Sequence, residues 1–378
     1  MNILIAPDKF RGSLDAIEVC NAVEKGIQMA VPNARVVKTP LADGGEGTVF
    51  ILTKNKNGSF KDAEISDPLG RKIRAVYGMS EDESTAFIEM ASASGLNLLN
   101  TEERNPLLTS TYGTGELIRH ALDQGVEKII LGIGGSATTD AGIGMAAALG
   151  FEFLDKAGNP LPPIGESLSQ ISEIITIHAD PRIAATEIVV ACDVTNPLYG
   201  PTGAAFVYGP QKGADEQQVA LLDHGLQVFS RLASTVFGKD LSETPGAGAA
   251  GGIGAGSVWF LNATLREGIK IVMDELNLPD KIRDADLVIT GEGKADEQTL
   301  AGKVVKGLAE QCRKADVPLA LICGTLLITP QQAEQAGITY ATSVLNRPMD
   351  LETAQQEAAV RVTEASYYLG RLFSLSRQ

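Results

Sequence analysis

The chain has 378 residues, 44% hydrophobic and 21% charged, a balance that supports a packed core and excludes a disordered chain. Asp and Glu number 47 against 32 Lys and Arg, a formal charge of −15, which excludes a broad electrostatic footprint for nucleic acid or an anionic membrane; any anionic ligand must be met locally. The four cysteines are scattered without a CxxC pair and the three histidines stand at no metal-ligand spacing, so neither a disulfide framework nor a zinc site is expected.

Residues 2–6 read as a buried strand running into PDKFRGS. Ser13 is the expected N-cap of a helix whose apolar or small positions Ala16, Cys20, Val23, Ile27 and Ala30 recur at three and four residues. Asp8 and Lys9 follow the strand directly and Arg11 stands two residues later. Such a strand end is receptive to an anion, with help from the helix dipole, though a capped turn with solvated charges gives the same string. A second strand, 35–38, feeds LADGGEGT at 41–48, where Asp43 and Glu46 flank Gly44 and Gly45. Two carboxylates so placed can bind Mg²⁺, take a proton from an attacking alcohol, or simply cap a helix.

Segments 60–66, 72–79 and 85–90 follow one another through short turns such as DPLG, which predicts a hairpin or meander. The strand 128–133 then runs into GGSATTDAGIG at 134–144, with a helix expected from Asp140. Backbone amides around Gly134, Gly135, Ser136 and Thr138 can cradle phosphate; tight helix-to-sheet packing is the alternative reading. No Lys followed by Ser or Thr closes the pattern, so it is not a Walker A loop. A strand at 188–192 places Asp193 at its end, in DVTNPLYGPTG. GAGAAGGIGAGS at 246–257 contains a formal GxGxxG, but LSETP before it is no strand, so the dinucleotide fingerprint is rejected in favour of a mobile loop or a close helix approach.

Strands at 287–290, 318–323 and 339–345 alternate with helices near 300–314, 330–336 and 351–373. The first of these strands enters GEGKADEQT, with its helix beginning near Thr299. Gly291 and Gly293 allow close backbone approach to a ligand, while Glu292, Lys294, Asp296 and Lys303 supply both signs of charge. That mixture suits a metal-bound polyphosphate; an ordinary strand-to-helix turn has the same composition. Alternation at both chain ends means a parallel sheet, and ligands bind at the carboxyl ends of such strands. The expected fold class is α/β in two domains: residues 1–59 with 285–378 as a discontinuous domain, 60–284 as an inserted one, and the site in the cleft between them, a sequential split near residue 150 or 240 being the alternative. The chain enters a strand within two residues and has no apolar run of roughly 18 residues, so a soluble cytoplasmic protein is expected.

PDKFRGS, ADGGEGT, TSTYGTGELI at 109–118, GIGGSATTDAGIGM, DVTNPLYGP, GAAGGIGAG and TGEGKADEQTLAGK, taken in series over nearly the whole chain, resemble the motif series of the bacterial glycerate kinase family, the class without P-loop, ribokinase or actin-like motifs. Arg11 departs from the family's usual Lys but keeps the charge. The resemblance implies ATP- and Mg²⁺-dependent phosphorylation of D-glycerate to 2-phosphoglycerate or 3-phosphoglycerate, and a flavodoxin-like domain built from both chain ends. On that basis Lys9, Asp43, Asp193 and Asp296 are the catalytic candidates. ATP falls to Gly134, Gly135, Ser136, Thr138, Gly291, Glu292, Gly293 and Lys303, and glycerate to Asp8, Arg11, Gly44, Gly45 and Arg71. Glu46, Asp193 and Asp296 are the Mg²⁺ candidates, the split between base and metal ligand staying open. The implied partners are D-glycerate and ATP, with no nucleic acid and no membrane, and the oligomeric state is not given. An NAD-dependent dehydrogenase would need a true fingerprint, and a non-catalytic small-acid-binding protein would not need so many acidic Gly loops.

Overall fold

A computed structural model describes residues 1–42, 45, 47–301 and 303–375, the side chains of Gln298, Ala301 and Lys303 excepted. Its strands are β1 (Asn2–Ile5), β2 (Arg35–Lys38), β3 (Ser59–Ser66), β4 (Lys72–Met79), β5 (Thr85–Glu89), β6 (Lys128–Gly132), β7 (Glu152–Leu154), β8 (Glu173–Ile175), β9 (Glu187–Ala191), β10 (Thr264–Arg266), β11 (Leu287–Ala295), β12 (Leu319–Leu326) and β13 (Tyr340–Ser343). The fold is α/β. The chain divides into two compact units, Met1–Asp43 with Ile269–Gln378, and Gly44–Gly268.

Both junctions fall before residues 59/60 and 284/285, for local packing reasons. Helix Thr48–Asn55 belongs with β4, since a Cβ at Gly78 would sit 1.7 Å from Thr53 Oγ1. Helix Gly268–Glu275, from its second residue on, and helix Leu278–Arg283 belong with the smaller unit. There Met273 lies 2.6 Å from where Gly307 would carry a Cβ, and Lys281 Nζ donates to Thr39 Oγ1 at 3.2 Å.

The smaller unit carries a parallel sheet in the order β13-β12-β11-β1-β2. Its inner strands, ILI at 3–5 and LVI at 287–289, are buried on both faces, as a helix-covered parallel sheet requires. Helix Ala16–Ala30 is capped by Asp15 and not by Ser13. Ser13 N is tied to Phe10 O in the turn that closes the Phe10–Leu14 bridge, whereas Asp15 Oδ1 accepts from Glu18 N at 2.7 Å and Glu18 Oε2 from Asp15 N at 2.9 Å. The C-terminal stretch is two helices, Leu351–Gln356 and Ala358–Leu375, interrupted at Glu357. β11 does not end at Thr290: it stays paired to β12 as far as Ala295 opposite Leu326. Gly324 permits this, because a Cβ there would meet Gly293 O at 2.4 Å.

The larger unit has a mixed sheet, β10-β9-β6-β5-β4-β3, parallel from β10 to β5 and antiparallel through the β5-β4-β3 meander. Behind it Phe151, Phe153, Phe229, Phe237, Trp259 and Phe260 pack mostly edge-to-face. The glycine-rich 246–257 segment is no mobile loop. It enters the buried helix Ala249–Leu261, kinked where Ala250, Gly251 and Gly252 take positive φ. A Cβ on Gly251 would lie 2.0 Å from Thr138 O, and one on Gly256 2.2 Å from Ala141 O. No helix of the described residues is long and apolar enough to cross a membrane.

Gly256→Ala should therefore cost about 1–3 kcal/mol of stability through overpacking, read as a lower urea midpoint at an unchanged slope. Gly134→Ala, which meets nothing within 4 Å, should leave the midpoint where it is. Equal midpoints for the two variants would refute the close-approach account.

Candidate active site

In the smaller unit, the ends of β1 and β11 are stitched together past the last strand residue. Ala6 N donates to Ile289 O at 2.8 Å, Asp8 N to Gly291 O at 2.9 Å, and the buried Thr290 hydroxyl to Ala6 O at 2.9 Å. Asp8 Oδ1 accepts from Lys9 N at 2.7 Å, which folds that carboxylate back over its own turn. Gly293 runs so close to the opposite strand end that a Cβ would stand 3.2 Å from Arg11 N. Farther on, Thr299 Oγ1 donates to Lys294 O at 3.1 Å and accepts from Asp296 N at 3.0 Å. Asp296 caps that turn through Thr299 N at 3.3 Å and pairs with Lys294 Nζ at 2.8 Å.

Glu292 sits in the middle of this group. Burial pushes its carboxyl up to about 7; the Thr299 hydroxyl pulls it down, the Asp8 and Asp296 charges add to the rise, and Arg11 opposes them. Its Oε1 is buried with no hydrogen-bond partner among the described residues. A half-buried carboxylate with an orphan oxygen, flanked by two more acids, is a site that a cation would satisfy. Mg²⁺ fits this donor set, since it needs only one or two carboxylates beside phosphate and water oxygens. Among the described residues no three His, Cys, Asp or Glu form a ready-made metal cage.

In the larger unit a cavity of about 210 Å³ is lined by Gly134, Gly135, Ser136, Cys192, Asp193 and Lys212, with Gly45 and Tyr208 also on its wall. The 134–136 loop follows β6 and is pinned from one side, by Leu96 N donating to Gly135 O at 2.9 Å and Ala137 N to Ser94 O at 2.9 Å. Gly135 takes φ +74°, a conformation glycine adopts without strain. Asp193 leaves β9 and accepts from Gly268 N at 2.8 Å.

Asp140 does not open a helix here. It is fully buried and accepts from Thr111 N and Oγ1 at 2.8 and 2.7 Å and from Gly142 N and Gly144 N, both at 3.2 Å. The helix starts later, at Ile143–Ala148, because Ala141 and Gly142 take positive φ. Burial raises the Asp140 carboxyl and these four donors pull it back. Lys212, 1% exposed, donates from Nζ to Thr138 O at 2.5 Å. Burial pushes its ammonium down to about 7, against the nearby Asp140 charge.

Asp8, Arg11, Gly291, Glu292, Gly293 and Asp296 thus lie in one neighbourhood, and Gly45, Gly134, Gly135, Ser136 and Asp193 in another. Thr138 does not line the cavity: it is fully buried, its hydroxyl has no partner among the described residues, and only its carbonyl is engaged. Arg71 is held by Asp67 at 2.5 Å and Glu103 at 2.6 Å, with the Leu98 carbonyl behind. It serves that turn and is not on the cavity wall. Asp43, Gly44, Glu46 and the Lys303 side chain lie outside the described residues. Sequence reading missed Lys212. Its only trace is a cation between Pro210 and Gly213 in a short helical turn, and nothing in GPQKGAD says that the side chain points inward.

The glycerate kinase family model matches residues 3–374. The chain belongs to the glycerate kinase family. It is 45% identical over 366 residues to the glycerate 2-kinase of Escherichia coli K12, covering 97% of this chain and 96% of that one. It is also 45% identical over 364 residues to the glycerate kinase of Halalkalibacterium halodurans, with 96% of each chain covered. A crystal structure of a provisionally named glycerate kinase 2 from Salmonella typhimurium LT2 superposes with a TM-score of 0.92 at 44% identity, over 100% of this chain and 99% of that one.

Because the folded Glu292 carboxyl keeps its proton to about pH 7 and an unfolded one only to its usual 4.5, its contribution to stability is complete below pH 4.5 and lost as pH rises through 7. Glu292→Gln cannot lose it. The melting temperature of the wild type should therefore fall relative to that variant between pH 4.5 and 7, and parallel melting curves across this window would exclude the assignment.

Proposed function

We propose that the protein is a glycerate kinase that transfers the γ-phosphoryl group of ATP to a hydroxyl of D-glycerate, giving 2-phosphoglycerate or 3-phosphoglycerate. The observation that carries this is the full-length similarity to a protein named glycerate 2-kinase. The two residue groups described above support it, because phosphoryl transfer asks a protein for positioning and charge neutralisation more than for covalent chemistry.

In the smaller unit the strand order, counted along that unit, is 2-1-3-4-5, which supports a flavodoxin-like reading with ligands at the carboxyl ends of the strands. Asp296, with Glu292 beside it, would hold Mg²⁺, which when bound neutralises phosphate oxygens. Lys9 and Arg11, at the β1 end, supply positive charge for a carboxylate or phosphate. The larger unit brings the 134–136 loop as a phosphate cradle and Asp193 as the base. Asp193 orients the acceptor hydroxyl; as the hydroxyl oxygen bonds to the γ-phosphorus and ADP leaves, its proton passes to the Asp193 carboxylate. The hydrogen bond from Gly268 N fixes that carboxylate in place for the task.

ADP release should require ATP, Mg²⁺ and D-glycerate together, with the product phosphate seen by phosphorus NMR. Equal ADP release without glycerate, or full turnover in excess EDTA, would sink the proposal. Asp193→Asn, which keeps shape and removes the base, should lower kcat/KM by at least about a hundredfold without moving the melting temperature; near-normal turnover would return Asp193 to a structural role. Lys9→Ala should cost about tenfold in kcat/KM, roughly 1.4 kcal/mol, and unchanged kinetics would place Lys9 in a solvated turn.

A further inference from the structure

We propose that Lys212 is the anion-binding cation of the larger unit's cavity and takes a phosphate oxygen of the nucleotide held at the 134–136 loop. The inference rests on the kinase reading and assigns a residue that the motif series does not contain.

Lys212 lines the cavity yet is almost wholly withdrawn from water. An ammonium has three N–H donors, and the Thr138 carbonyl is its hydrogen-bond partner among the described residues. Asp140, the opposite charge nearby, has its hydrogen bonds with four donors from Thr111, Gly142 and Gly144 and none with Lys212 among the described residues. Lys212 feels the Asp140 charge without a salt bridge to it among the described residues, and a buried ammonium with one hydrogen-bond partner is costly and persists where something else uses it. A further sign marks the place. Ala250, on the cavity wall, and Ala141, whose N–H donates to Gly251 O, both hold positive φ without being glycine, a strain that collects at functional sites. An incoming phosphate supplies the Lys212 ammonium with a direct anionic contact and with further acceptors beside the Thr138 carbonyl.

Since burial holds the free ammonium near pH 7, an anion beside it draws a proton onto it. The other titratable groups of this wall are Asp193, Cys192 and Tyr208, with Asp140 behind. They are unchanged in a Lys212 variant, so the difference between variants isolates Lys212.

The test is calorimetry on the full chain at pH 7.5, in two buffers of different ionisation enthalpy, with inorganic triphosphate and, separately, D-glycerate as probes. The wild type should bind triphosphate with proton uptake. Lys212→Met should weaken triphosphate at least tenfold, with the D-glycerate affinity and the melting temperature held. Lys212→Arg should keep triphosphate affinity within about threefold and lose the uptake, because arginine does not titrate. Unweakened triphosphate binding by Lys212→Met, or a loss confined to D-glycerate, overturns the proposal. Should Lys212→Met fail to fold, uptake that survives in Lys212→Arg overturns it equally. Turnover of the wild type is measured alongside. A wild type that binds triphosphate through Lys212 but releases no ADP with glycerate refutes the kinase reading alone; one that turns over while Lys212→Met binds normally refutes the Lys212 assignment alone.

Discussion

Backbone-to-backbone contact closer than any side chain allows is the constraint on which the larger unit's chemistry depends. Gly251 lies where a Cβ would be 2.0 Å from Thr138 O, and Gly256 where it would be 2.2 Å from Ala141 O. These contacts fix the 138–141 segment, and Thr138 O is the acceptor that holds Lys212 Nζ. Glycine therefore acts here at one remove: it sets a carbonyl, and the carbonyl sets a buried lysine amine on the cavity wall. Packing of this density has few alternative arrangements, so the charge is positioned before any ligand arrives.

The two residue groups carry opposite electrostatic deficits. Around Glu292 the smaller unit gathers carboxylates, with an orphan oxygen and a carboxyl pushed up to about 7. Around Lys212 the larger unit buries an ammonium whose one strong acceptor is a neutral carbonyl. Each arrangement costs folding free energy as it stands. Natural chains keep such local penalties where a ligand removes them.

Much of the fold was legible because strand ends announce themselves: apolar runs such as ILI at 3–5 and LVI at 287–289 stop at Gly, Asp and hydroxyl residues. The errors have physical causes. Ser13 looked like a cap until the Phe10–Leu14 bridge claimed its backbone, leaving Asp15 and Glu18 to form the box. β11 looked finished at Thr290 because glycine weakens a strand pattern, yet Gly291, close to Ile322 O, and Gly324, close to Gly293 O, are what let it keep its place beside β12. Arg71 is paired with Glu103, 32 positions along the chain, a contact that nothing in DPLGR announces. Lys212 was invisible because a lysine's burial depends on elements remote in sequence, here Thr138, 74 positions away.

The thiols carry a practical consequence. Cys20, Cys312 and Cys323 are buried and pushed up to about 12, which keeps them as inert thiols through the physiological range. Cys192 is half-buried and stands on the cavity wall beside Asp193. An alkylating dye added to the folded protein would accordingly mark that wall before it marks the core, and whatever fills the cavity would slow the marking. The chain carries a native attachment point for an optical reporter of occupancy, with no engineered cysteine required.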